Sequence, residues 1–166
     1  MKLRNIVLVL LSGAFFIGCT PTPNTTLSTA AIKKNILGTW HSRSMHRTSD
    51  GVRIKSRAID TFYRNGTLVS IEYLTYINRK GRILGKMRYK RYFTWKVRGT
   101  TISTSFRRCS TRVLKRPRNT KVEFVSDVLK IACKYANKIS GAKTTSERIR
   151  YISRHKLIAG AKVLHR

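Results

Sequence analysis

The sequence predicts a mainly β protein: an antiparallel up-and-down meander closing into a small barrel, with a short helix as the second reading of its C-terminal third. Three observations carry this. Long stretches alternate with period two, turn signals containing glycine separate them at short spacing, and aromatic and β-branched residues concentrate in the alternating stretches. A chain of 166 residues with 41% hydrophobic content is enough for one core.

Residues 83–97, ILGKMRYKRYFTWKV, are the clearest strand. One parity carries Met87, Tyr89, Phe93, Trp95 and Val97, and the other Lys86, Arg88, Lys90, Tyr92 and Lys96. Aromatics take one face and cations the other, with Arg91 the exception on the apolar side. In 67–77, TLVSIEYLTYI, one face holds Val69, Ile71, Tyr73, Thr75 and Ile77. The turns SDG (49–51), RNG (64–66), RKG (79–81) and RGT (98–100) punctuate these runs. Asn65-Gly66 predicts a type I′ hairpin, in which both central residues take positive φ. Strands are expected near 38–48, 52–63, 67–77, 83–97 and 101–108.

Residues 121–139 support two readings. Leu129, Ile131, Cys133 and Tyr135 alternate like a strand, whereas Val125, Val128, Leu129, Ala132, Ala136 and Ile139 follow helical spacing. The strand is preferred for 128–136, because closing a barrel needs more strands. Residues 147–152 and 156–164 then read as a final hairpin, with a helix capped by Thr144 and Glu147 as the alternative.

The amino terminus reads as an address. Lys2 and Arg4 precede twelve mostly apolar residues, Ile6 to Ile17. As a helix they span about 18 Å, short of a bilayer core of about 30 Å, which suits a secretory signal rather than a permanent span. Phe16-Ile17-Gly18-Cys19 resembles the lipobox of bacterial lipoproteins. The resemblance implies cleavage after residue 18, diacylglyceryl transfer to Cys19 and acylation of the new amino terminus. An ordinary cleaved signal and an uncleaved anchor, with Cys19 incidental in each, are the alternatives. Thr20 is not Asp, which in that family points to the outer membrane and a periplasm-facing domain. Residues 19–34 are expected to be the lipidated Cys and a flexible linker, and 35–166 a single β domain.

NILGTW (35–40) opens the first strand, and its Gly38-x-Trp40 resembles the calycin and lipocalin-like families. DTFYRNGTL (60–68) and FTWKVRGTTI (93–102) are similar to later hairpins of bacterial lipocalin-like domains. The resemblance implies a lipocalin-like barrel, with Trp40 closing one end beneath an Arg from a late strand. Arg148, Arg150 and Arg154 are the candidates for that Arg.

Cys109 and Cys133 remain as a disulfide candidate, two free thiols being the alternative. A bridge would close a loop of about 25 residues, worth about 3 kcal/mol in the chain-entropy model. Neither CxxC spacing nor clustered His accompanies them, so no metal site is expected. His41 and His46 differ in parity and point to opposite faces of one strand. The six acids (Asp50, Asp60, Glu72, Glu123, Asp127 and Glu147) show no paired geometry. Asp60 and Glu72 are assigned to cross-strand pairing with cations. No catalytic motif or cofactor fingerprint is legible, and no enzymatic activity is expected.

The charge is the informative feature. The chain has 36 Lys and Arg against 6 Asp and Glu, and removal of Lys2 and Arg4 with the leader leaves a net +28. Lys86, Arg88 and Lys90 share a parity, and Arg107, Arg108, Lys115, Arg116 and Arg118 follow in RRCSTRVLKRPR (107–118). These are the candidate polyanion-binding residues. A solvated basic exterior is the bland reading. The sharper one pairs the charge with the lipid anchor, and expects binding to anionic lipid or lipopolysaccharide phosphates. A small apolar ligand inside the barrel is the second reading. Nucleic acid is disfavoured, because alternation sends most aromatics away from the cations and export removes the chain from it.

Overall fold

A computed structural model describes residues 28–49, 51–116, 120–138 and 144–166. The leader, Cys19 and its linker up to residue 27, Asp50 and Arg118 lie outside the described residues. The chain runs α1 (Thr29–Ile36), β1 (Gly38–Arg47), β2 (Arg53–Phe62), β3 (Thr67–Ile77), β4 (Ile83–Arg98), β5 (Thr101–Lys115), α2 (Thr120–Lys138), β6 (Thr144–Ile152), β7 (Lys156–Ala159) and β8 (Lys162–His165). The strands form a closed antiparallel barrel in sequence order, as the alternation and turns predict.

Three expectations are corrected. Residues 120–138 are helical, so the strand preferred for 128–136 is absent. Ile131 and Tyr135, half of its apparent alternating face, are 53% and 62% exposed on the helix surface. The final hairpin is three strands, β6 to β8, joined by two short turns. The domain also starts before residue 35, because Ile32 and Ile36 of α1 are fully buried. Ser28 caps that helix, accepting the Ala31 amide at 3.1 Å.

The β2–β3 turn differs in type. Asn65 has no positive φ, and only Gly66 does, at 79°. The Gly66 amide donates to the Tyr63 carbonyl (3.1 Å) and the Tyr63 amide to the Thr67 carbonyl (2.8 Å). This is a three-residue loop ending in a left-handed glycine. Gly51 and Gly81 close their hairpins in the same way.

Two apolar clusters fill the interior. The larger joins Ile32 and Ile36 of α1 to Trp40, Phe62, Leu68, Trp95 and strands β5 to β8. Here Phe62 meets Trp95 edge-on at 5.6 Å, and the Trp95 indole donates to the Tyr63 and Thr67 carbonyls. The smaller is Tyr76 and Met87, with Leu74, Ile54 and Leu129 of α2 packed against them. β5 pairs with β6 only through Thr101–Ser105, and β1 meets β8 only at His41–His165. The far half of β5 therefore keeps β4 on one side but has no strand on its β6 side, and α2 packs there instead. A disulfide from Cys109 to Cys133 fastens it. Asn137 reinforces the junction, accepting the Cys109 amide (2.7 Å) and donating to the Cys109 carbonyl (2.9 Å).

Candidate functional site

Register sorts the strand residues into two faces, since directly paired residues point the same way. One row runs Trp40–Asp60–Ser70–Arg91–Cys109 across β1 to β5. Trp40, Ser70 and Cys109 are buried, so this row faces the lumen. The next inward row is Ser42–Ala58–Glu72–Tyr89–Thr111. Together they lay a polar belt between the two apolar clusters. Arg91 Nη2 lies 3.2 Å from Glu72 Oε2 and 3.3 Å from Ser70 Oγ, and Ser56 donates to Glu72 Oε1 at 2.5 Å. The pairing assigned to Glu72 is thus made with Arg91. Asp60 is not paired with a cation: its neighbours in the row are Trp40 and Ser70. Burial raises the Tyr76 hydroxyl to about 12, helped by the Glu72 charge. Burial also raises Tyr89, with Arg91 acting against it.

The outer face is of one sign. Asp60 and Glu72 are the only acids in β1 to β5, and both point inward. Outward rows carry cations among neutral residues. Arg43–Arg57–Tyr73–Arg88–Arg112 crosses five strands, with Met45–Lys55–Thr75–Lys86–Lys115 on one side of it. On the other side runs His41–Ile59–Ile71–Lys90–Ser110. At a strand spacing of about 4.8 Å, such rows hold several guanidinium and ammonium groups side by side on one surface. Half-buried Ile59, Ile71 and Tyr73 give the face an apolar centre.

Tyr92 anchors one border. Lys90 Nζ lies 4.9 Å and the Arg108 guanidinium 4.4 Å from its ring centre. The hydrogen bond with Lys90 comes first among the causes that lower the Tyr92 hydroxyl below the usual tyrosine range, followed by the charges of Lys90 and Arg108. The barrel thus brings Lys86, Arg88, Lys90, Arg108 and Lys115 onto one face. Arg107 occupies the β5 irregularity opposite Tyr92–Phe93 and lines a neighbouring groove. Arg116 is exposed just beyond β5. Arg43, Arg57 and Arg112 complete the central row, which the parity of single strands does not reveal because it depends on register.

At the α1 end, Gly38 has φ 107° and Trp40 is 0% exposed. The Trp40 indole donates to the Ile36 carbonyl at 2.7 Å. The Arg lying over it is none of the three expected: it is Arg166, the last residue, 4.6 Å from the ring centre. Arg166 also donates to the Asn35 carbonyl at 2.9 Å and to the Leu37 carbonyl. A Cβ on Gly38 would sit 3.2 Å from Arg166 Nη2, so this glycine is needed for both its φ and the guanidinium's approach.

Among the described residues no three of His, Cys, Asp and Glu cluster as a metal site would require. Among those residues, no helix is long and apolar enough to cross a membrane. No protein-family model matches the chain, and the comparison with curated proteins finds no match.

Proposed function

We propose that the chain is a lipid-anchored, non-catalytic barrel whose cationic outer face lies against a phosphate-bearing surface of the cell envelope. The carrying observation is the segregation of charge: every charged side chain on the outer face of β1 to β5 is a cation, and the acids of those strands are turned inward. Each Lys or Arg near an anionic leaflet contributes about 1 kcal/mol, screened over about 8 Å, so a row of four arginines adds up to firm docking only at contact.

The lipobox-like Phe16–Cys19 supports the anchor. Nine residues separate Cys19 from Thr29 at the start of α1, and the ten Cα-to-Cα steps span at most about 35 Å of extended chain. That keeps the face near the membrane to which the lipid would hold it. The Gly38, Trp40 and Arg166 arrangement supports placing the domain among lipocalin-like barrels. The polar belt favours surface docking over carriage of an apolar molecule, because such a cargo would lie against the Glu72–Arg91 pair.

Lysine footprinting tests this on the anchored protein. Reconstituted into anionic vesicles at low salt, Lys55, Lys86 and Lys90 acylate slowly while Lys134 on α2 reacts freely. High salt or neutral vesicles abolish the difference. Equal labelling of these lysines in both kinds of vesicle overturns the docking.

A further inference from the structure

A second recognition feature lies at the α1 end, away from the central row. β4 overruns the start of β3: Thr67 pairs with Thr94, the Trp95 amide reaches the Gly66 carbonyl at 2.7 Å, and Lys96 to Arg98 extend beyond. α1 is tied to the same end, with Thr29 Oγ1 donating to the Gly99 carbonyl at 3.2 Å. Between this overhang, α1 and the β2–β3 turn is an open cavity of about 390 Å³. That lies within the range of about 300–1,000 Å³ usual for small-molecule sites.

The cavity is amphipathic in a definite way. Partly buried Leu37 and the exposed edges of the core residues Trp95 and Val97 give it an apolar floor, and four cations, Lys33, Arg64, Lys96 and Arg98, surround them. A second depression of about 380 Å³ shares Lys96 and Arg98, and adds Arg107 together with the hydroxyl residues Thr94, Ser103, Ser105 and Thr144. Among the described residues, no carboxylate lines either one. A bare anion has no use for the apolar lining, and an uncharged tail would leave four cations to be desolvated unpaired. A molecule with both parts satisfies both surfaces.

We propose that the joined depressions bind a phosphate-bearing amphiphile. Its phosphate sits between Lys96 and Arg98, which belong to both depressions, because an anion there meets two charged donors. Its apolar tail lies on Leu37, Trp95 and Val97 beside α1. The polar remainder of its head runs along the hydroxyls, each of which keeps hydrogen-bonding capacity beyond the strand-to-strand pairs Ser103–Ser146 and Ser105–Thr144. This goes beyond docking to a surface: it is a saturable site for one molecule.

Calorimetry on the full chain, held in a nonionic amphipol, tests it with hexyl phosphate, inorganic phosphate and hexyl glucoside. Hexyl phosphate binds saturably, inorganic phosphate about tenfold or more weakly, and hexyl glucoside gives no saturable heat. Lys96→Ser and Arg98→Ser each weaken hexyl phosphate about tenfold, the loss of one charge-assisted contact. Lys33→Ser and Arg64→Ser, on α1 and in the turn, weaken it through independent elements, so a folding defect in one variant does not end the test. Inorganic phosphate binding as tightly as hexyl phosphate shows a free-anion site and overturns the proposal. So does equal binding of hexyl glucoside, or unchanged binding in all four variants. The amphipol offers no charged surface, so none of these results bears on docking of the β1–β5 face.

Discussion

The guanidinium of Arg166 lies 4.6 Å over the Trp40 indole and holds the Asn35 and Leu37 carbonyls, joining the last residue of the chain to the start of its first strand. It therefore closes the barrel end that the β1–β8 pairing alone holds weakly, since that pairing is a single residue pair. Arg166→Met keeps apolar contact with the ring but loses the charge and both hydrogen bonds. It is expected to cost about 2 kcal/mol in denaturant unfolding. Arg166→Lys restores less than half of this, because an ammonium lacks the planar fork that reaches two carbonyls while stacking. Full recovery by Lys would show that only the charge matters.

The ion pair inside the lumen is predicted to behave as a unit. Glu72→Gln leaves the Arg91 guanidinium facing the belt without a counter-charge, held by neutral contacts with Ser70 and the Tyr89 ring. A loss of about 2 kcal/mol is expected, moderated by the partial exposure of both side chains. Replacing both, Glu72→Leu with Arg91→Leu, should cost less than the sum of the single variants. Strict additivity in that cycle would show that the pair is not coupled.

Alternation and turn residues made β1 to β5 legible, because hairpins are local and each strand's parity is written in its own residues. Gly38 and Trp40 were legible for the same reason. Arg166 was not: it lies far along the chain from Trp40, among many other arginines, and only closure of the barrel brings the two together. α2 was misread because Leu129 and Cys133 face the core, while Ile131 and Tyr135 complete an apparent strand face from the solvent side of a helix. The cationic row was half legible. Arg88 follows from parity, but its alignment with Arg43, Arg57 and Arg112 depends on inter-strand register.

The Cys109–Cys133 bridge holds a helix to a strand that is open on its β6 side over half its length. Reduction, or Cys109→Ser with Cys133→Ser, is predicted to lower stability by about 3 kcal/mol, as expected for a loop of about 25 residues. Hydrogen exchange should rise first in α2, because Leu129 and Asn137 are then its main remaining ties. Protection of α2 unchanged after reduction would contradict this.

Alkaline titration separates the tyrosines. Tyr76 is buried and its hydroxyl is raised to about 12, so between pH about 10 and about 12 the unfolded chain has lost a proton that the folded one keeps. Stability therefore falls through that window, by an amount on the order of 2–3 kcal/mol. Tyr76→Phe flattens it. Tyr92, beside Lys90 and Arg108, ionises below the usual range, so its phenolate absorbance is the first to appear. Tyr92→Phe removing the last phenolate instead of the first would overturn the assignment.

The most direct test of the docking face is flotation of the unacylated chain, beginning at Thr20, with anionic and neutral vesicles over a salt series. The account predicts binding to anionic vesicles alone, weakening steeply with salt, and about tenfold or more weaker for the combined Arg57→Ser, Arg88→Ser and Arg112→Ser variant. Binding that ignores salt and vesicle charge, or that the triple variant leaves unchanged, contradicts it.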